Sequence, residues 1–113
     1  MSSDPRRELA RAADGGGPGA QAARSALGGG SDAARLRAAI MALTHHRGPD
    51  SSICPSDAAR AVGGSEWRNL TELSRSLAFE LACDGDVDIT QRGDVVDPRR
   101  PARGPIRIRL SPP

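Results

Sequence analysis

Leu36, Ala39, Ile40 and Leu43 recur at helical spacing and draw one apolar stripe, with Arg35 and Arg37 off it. The pattern predicts a first helix, capped by Ser31 or Asp32 and ended near Arg47 by Gly48-Pro49-Asp50, a stop-and-turn signal. Ser51 to Cys54 then reads as a short extended link. Pro55 suits the first turn of a second helix, to which Ala58, Ala59 and Val62 give a small apolar face that stops at Gly63-Gly64. The third and longest helix starts near Ser65 and Glu66 and is terminated by Gly85. Leu70, Leu77 and Leu81 fall together on its wheel, with Leu73 and Trp67 on the flanks. The opposite face carries Arg68, Glu72, Arg75 and Phe79.

The period then changes to two. Val87, Ile89 and Gln91 point one way, and Asp88, Thr90 and Arg92 the other. Arg92-Gly93 marks a tight turn and Val95-Val96 a brief return. Beyond a loop rich in arginine and proline, Ile106, Ile108 and Leu110 alternate with Arg107 and Arg109. Helix, extended link, helix, helix, strand, loop and strand follow in that order. The order predicts a mainly α fold with a small β-hairpin: a winged helix-turn-helix of three helices and a two- or three-stranded antiparallel wing, spanning residues 32–111. Residues 1–31 hold only Leu9 and Leu27 as large apolar residues after Met1 and carry two glycine clusters, at 15–19 and 28–30. They are expected to be a disordered, Gly/Ala-rich N-terminal tail, with at most a transient helix over residues 5–13.

Composition narrows this picture. The chain has 113 residues, enough for one small domain. Trp67 and Phe79 are its only aromatic residues, so Leu, Ile, Val and Ala must build a thin core. All 16 basic residues are arginine, and 14 acidic residues leave a formal charge of +2. The missing lysine matches a GC-rich coding bias, and the small net charge argues weakly for a polyanion partner. No apolar run approaches the roughly 18 residues of a membrane span, and the N-terminus lacks the apolar core of a secretory signal. A cytoplasmic protein with Cys54 and Cys83 as reduced thiols is the expectation.

Four segments have a familiar look. They are Ile53 to Val62 (Ile-Cys-Pro-Ser-Asp-Ala-Ala-Arg-Ala-Val), Trp67-Arg68, Ile89 to Gly93 (Ile-Thr-Gln-Arg-Gly), and Arg103 to Leu110 (Arg-Gly-Pro-Ile-Arg-Ile-Arg-Leu). In order and spacing they resemble a small bacterial family of domains of unknown function, family 3253, from about Ala34 to Leu110. The resemblance implies a winged-helix-like shape and brings no established activity, cofactor or partner. In that family, basic residues are frequent late in the third helix and just before the first wing strand. Here those positions hold Phe79, Glu80 and Asp86.

Candidate chemistry is sparse. No hydrolase triad is visible, and the glycine runs do not join a strand to a helix as a phosphate-cradling loop does. His45, His46, Cys54 and Cys83 have no zinc-site spacing. Asp84, Asp86, Asp88 and Asp94 lack the calcium-loop pattern. The expectation is no enzyme, with no catalytic residue, metal, cofactor or small-molecule ligand.

Nucleic acid is the first candidate partner. In a winged helix the third helix reads a major groove, where Arg68 and Asn69 would meet bases and Arg75 a phosphate. That helix is acidic, however: Arg68 and Arg75 stand against Glu66, Glu72, Glu80 and Asp84. Their spacing also fits ordinary salt-bridge lacing. The wing is the basic segment. Arg92, Arg99, Arg100, Arg103, Arg107 and Arg109 oppose only Asp94 and Asp97. Arg99, Arg100 and Arg103 lie on a loop stiffened by Pro98, Pro101 and Pro105, suited to a phosphate backbone or a minor groove. Arg107 and Arg109 are placed to pair across the hairpin with Asp88 or its neighbour Thr90.

Phe79 either packs against the wing or a nearby loop, or forms an exposed apolar spot for a protein partner. Two readings of function follow. One is a winged helix that binds duplex DNA through wing arginines. The alternative is a protein-interaction or homodimerisation module that binds no nucleic acid.

Overall fold

In a computed structural model, residues 4–100 and 102–112 are described. They form helices α1 (Pro5–Asp14), α2 (Pro18–Leu27), α3 (Asp32–Arg47) and α4 (Pro55–Gly63), a 3-10 helix (Gly64–Leu70) and helix α5 (Thr71–Cys83). Strands β1 (Val87–Gln91), β2 (Asp94–Val95) and β3 (Arg107–Leu110) follow. Pro101, one of the three prolines expected to stiffen the wing loop, lies outside the described residues.

The apolar stripe of α3 forms the centre of the core. Leu36, Ala39, Ile40 and Leu43 are fully buried, together with Ile53, Leu77, Val87, Ile89 and Ile108 from other elements. Ser31 caps the helix by accepting the Ala34 N–H at 3.1 Å. At the start of α4 the Cys54 N–H donates to the Asp57 carboxylate at 3.0 Å, tying the link to the helix it opens.

The expected third helix is divided. Its first seven residues wind as a 3-10 helix, and α-helical geometry begins only at Thr71. A three-residue period brings Trp67 and Leu70 to the same side. Gly63 receives them there: a Cβ on Gly63 would stand 2.8 Å from Leu70 Cδ1 and 3.6 Å from Trp67 Cβ. The tighter winding therefore lets Leu70 close over the end of α4. Leu77 and Leu81 are buried as their spacing predicts, whereas Leu73 is 37% exposed.

The sheet is antiparallel with order β2-β1-β3. Ile89 faces Ile108 and Thr90 faces Val95 across β1. Arg92 (φ 52°) and Gly93 (φ 89°) both take left-handed conformations, as the tight hairpin turn between twisted strands requires. Ile53 in the α3–α4 link bridges Ile108, with N–H to carbonyl bonds of 2.8 and 2.7 Å in the two directions. The molecule is thus mainly helical with a small three-stranded antiparallel sheet, compatible with a winged-helix-like arrangement.

The N-terminus departs from the expected disordered tail. α1 and α2 form and pack on the rest of the chain, burying Leu9, Ala12, Ala20, Ala23 and Ala26. Large apolar residues are few here because alanine takes their place. It favours helix and lets backbones approach closely. Gly19 marks the closest approach, since a Cβ there would lie 2.9 Å from His45 Cβ. Asp4 caps α1 through the Arg6 N–H at 3.0 Å.

A charged cluster fastens α1 further. Arg47 Nε–H donates to both carboxylate oxygens of Glu8, at 3.2 and 3.1 Å. Arg47 Nη1 donates to the Ser52 carbonyl at 2.8 Å and lies 4.0 Å from the Asp57 carboxylate. The side chains of Arg47, Glu8 and Asp57 are only 18%, 12% and 17% exposed.

Three substitutions check this arrangement by urea unfolding. Leu9→Ala should destabilise the chain by about 2–4 kcal/mol, the usual effect of emptying a buried leucine site; a disordered tail would make it silent. Arg47→Ala should cost about 3 kcal/mol, because Glu8 and Asp57 are left largely buried without their counter-charge. Glu8→Gln should cost less than Arg47→Ala, since Arg47 keeps Asp57.

Candidate nucleic-acid interface

The wing loop, residues 96–106, is held by side chains that reach its carbonyl groups. Arg75 on α5 donates from Nη2 to the Ala102 carbonyl at 2.7 Å and from Nη1 to the Gly104 carbonyl at 2.9 Å. Gln91 at the end of β1 donates from Nε2 to the Arg103 carbonyl at 2.7 Å, with the Pro105 carbonyl at 3.4 Å. Four successive acceptors, residues 102–105, are therefore engaged from the protein side. At the other end of the loop, Asp97 accepts the Arg99 N–H through its carboxylate at 2.9 Å and the Arg100 N–H through its carbonyl at 3.1 Å.

This inward use of the backbone leaves the side chains of Arg99, Arg100 and Arg103 exposed. Arg100 lies 4.0 Å from the Asp97 carboxylate, both ends exposed, so the pair contributes little. Among the described residues no carboxylate stands within 4.0 Å of Arg99 or Arg103.

Arg75 has a different place from the one its helical position suggests. It is half-buried, and its fork is occupied by two loop carbonyls, so it positions the loop and is not presented to a phosphate. Its guanidinium also sits 5.6 Å from the centroid of the Phe79 ring. Phe79 is half-buried, and with Pro98, Arg99, Arg100 and Ala102 it lines a shallow hollow between α5 and the loop. The face of α5 that would enter a major groove is thus overlaid by the wing loop.

Arg68 and Asn69 lie on the 3-10 helix, one element before α5. The Asn69 amide donates to the Glu66 carboxylate at 3.1 Å, and the Arg68 guanidinium stacks 4.6 Å from the centroid of the Trp67 ring. The strand arginines are also engaged. Arg109 pairs with Asp88, its register partner, at 3.6 Å. Arg107 binds the Ser52 hydroxyl at 2.9 Å and the Ser52 carbonyl at 2.8 Å, reaching the α3–α4 link and not Thr90.

Sequence reasoning overlooked Gln91 as a clamp and Arg75 as its companion. The one available signal was position: both sit where the elements that flank the wing loop face it.

Among the described residues, no group of three or more His, Cys, Asp or Glu side chains is placed to hold a metal ion. Cys54 and Cys83 are free thiols, and Cys54 Sγ lies 2.8 Å from Ser56 Oγ. No described helix is long and apolar enough to cross a membrane.

The family described as "Protein of unknown function (DUF3253)" matches residues 33–111, from the first turn of α3 to just past β3. The α1–α2 hairpin lies outside the match. No curated protein matches the chain.

The clamp makes a direct prediction. Arg75→Ala should free the loop and accelerate tryptic cleavage after Arg99 and Arg103 several-fold, read by mass spectrometry of a timed digest. The accompanying loss of stability should be about 1–3 kcal/mol, as for hydrogen bonds from a charged donor.

Proposed function

This chain belongs to the DUF3253 family of proteins of unknown function, and from that premise we propose that its wing loop is a phosphate-binding arm for duplex DNA. The observation that carries the proposal is the division of polarity in the loop. Arg75 and Gln91 draw the carbonyls of residues 102–105 inward, while Arg99, Arg100 and Arg103 remain exposed. A backbone fixed in this way loses less freedom when it meets a ligand. It also turns acceptor oxygens away from a surface meant for phosphate oxygens.

The expected mode is binding without base readout. α5 brings no unengaged arginine to its outward face, and the wing loop overlays that face. Phosphate contacts alone give affinity that is indifferent to sequence and falls steeply with salt. The alternative, a protein-interaction or dimerisation module centred on Phe79, has less support. Packed between Arg75 and the loop, that ring offers little surface to a partner.

Fluorescence anisotropy with a labelled duplex tests the proposal. Wild type should bind at micromolar Kd in about 50 mM salt, and Arg99→Ala/Arg100→Ala/Arg103→Ala should weaken binding about tenfold or more. The slope of log K against log salt should shrink by about 2.7, near 0.9 for each of the three lost phosphate contacts. Wild type that shows no binding under these conditions overturns the proposal.

A further inference from the structure

Trp67 is the only tryptophan in the chain, and it is not in the core. It lies half-buried on the 3-10 helix with two guanidiniums against its ring. Arg60 from α4 is 4.5 Å from the ring centroid, and Arg68 is 4.6 Å from it. Arg6 from α1 approaches the same corner, with Nη1 3.7 Å from where a Cβ on Gly64 would stand. All three arginines are exposed. Among the described residues none has a carboxylate within 4.0 Å. Stacking on an indole holds a guanidinium by its flat face and leaves the N–H edge available. The arrangement therefore fixes positive charge in place without neutralising it.

The cluster has a defined relation to the wing loop. The 3-10 helix runs directly into α5, so the cluster sits at the N-terminal end of α5. The loop is fastened further along, at Arg75 and Phe79. Three residues at about 2.0 Å and four to eight at about 1.5 Å separate the two, about 12–18 Å of helical rise. With 120° per residue to Thr71 and 100° afterwards, Arg68, Arg75 and Phe79 fall within about 80° of one another, on one side. Along the axis Glu72 falls between Arg68 and Arg75, at the edge of this side about 20° beyond Phe79, and puts an acidic group near its middle.

We infer that Arg60 and Arg68 on Trp67, with Arg6 beside Gly64, form a second phosphate-binding patch, and that this patch and the wing loop straddle one groove of a nucleic-acid duplex. A helical rise of about 12–18 Å between them is of the order of the roughly 12 Å width of a major groove. Each patch then meets the backbone of one strand, and the acidic middle spans the groove without entering it. The inference rests on the phosphate-binding reading of the wing loop for its second anchor. Arg6 belongs to the α1–α2 hairpin, outside the family match, so the patch is partly this chain's own addition.

Because Trp67 is the sole indole, its fluorescence reports this patch directly. The test titrates the full chain with a 16-base-pair duplex of mixed sequence. Wild-type Trp67 emission should change on binding. Arg60→Gln/Arg68→Gln should weaken affinity about tenfold and lower the salt slope by about two. Arg60→Lys/Arg68→Lys keeps charge and should keep most of the slope, which separates lost charge from lost folding.

The wing triple variant should bind more weakly yet still change Trp67 emission at low salt. If the glutamine pair leaves affinity and slope unchanged while the wing variant loses binding, the second patch is wrong and the wing reading stands. If only the glutamine pair weakens binding, the patch stands and the wing reading falls. Equal affinity for a single strand of the same length overturns the straddling of a duplex.

Discussion

The fold turns on one guanidinium. Arg47 stands at the C-terminal end of α3, where a positive charge complements the helix dipole. From there it reaches Glu8 on α1, the Ser52 carbonyl in the link, and the vicinity of Asp57 at the start of α4. The Ser52 carbonyl also accepts from Arg107 on β3 at 2.8 Å. Two arginines from different layers thus converge on one acceptor, and the next residue, Ile53, bridges Ile108. Residues 52 and 53 therefore set where the sheet lies against the helices. The core beneath is mostly alanine and aliphatic side chains, so this polar junction supplies directional contacts that nondirectional packing lacks.

The aliphatic periodicities explain why much of the fold was legible in the sequence. Leu36, Ala39, Ile40 and Leu43 leave one solution for α3, and Ser31 and Gly48 mark its ends. Val87, Ile89, Ile106 and Ile108 alternate cleanly because one face of a twisted hairpin must be buried, and each of them is buried. The N-terminal hairpin was illegible for a related reason. Hydrophobic patterning weighs large side chains, whereas α1 and α2 bury chiefly alanine and are joined to the rest by Glu8, which looks like any surface acid. The division at Thr71 was hidden as well. A leucine wheel assumes 100° per residue, and the 3-10 period needed to bring Trp67 and Leu70 onto Gly63 has no local signal.

The candidate site was legible at the level of the segment but not of the contact. Composition identifies the wing as basic, and Asp88 as a cross-strand partner for Arg109 follows from alternation. That Arg75 binds carbonyls instead of facing outward depends on a loop whose course no periodicity encodes. Arg60 and Trp67 are separated by a helix end and a change of winding, so their stacking is equally invisible along the chain.

An arginine-only chain makes net charge a poor guide to surface. The guanidinium fork can bind two acceptors at once. Arg24 holds the Ala13 carbonyl at 2.9 Å, and Arg35 holds the Ala26 carbonyl at 2.9 Å. Arg47, Arg75 and Arg107 bind further backbone acceptors. These residues contribute charge to any count along the sequence yet are committed to holding the fold. The remainder is exposed with no carboxylate within 4.0 Å among the described residues: Arg99 and Arg103 on the clamped loop, Arg60 and Arg68 against one indole, Arg6 beside Gly64, and the isolated Arg11 and Arg92. The division follows from geometry, because a guanidinium next to a turned-in carbonyl is captured by it. One held against a ring, or carried on a loop whose own carbonyls are already engaged, keeps N–H groups for a partner. A formal charge of +2 therefore coexists with exposed arginines gathered at the wing loop and around Trp67, with Asp97 and Glu66 as their acidic neighbours.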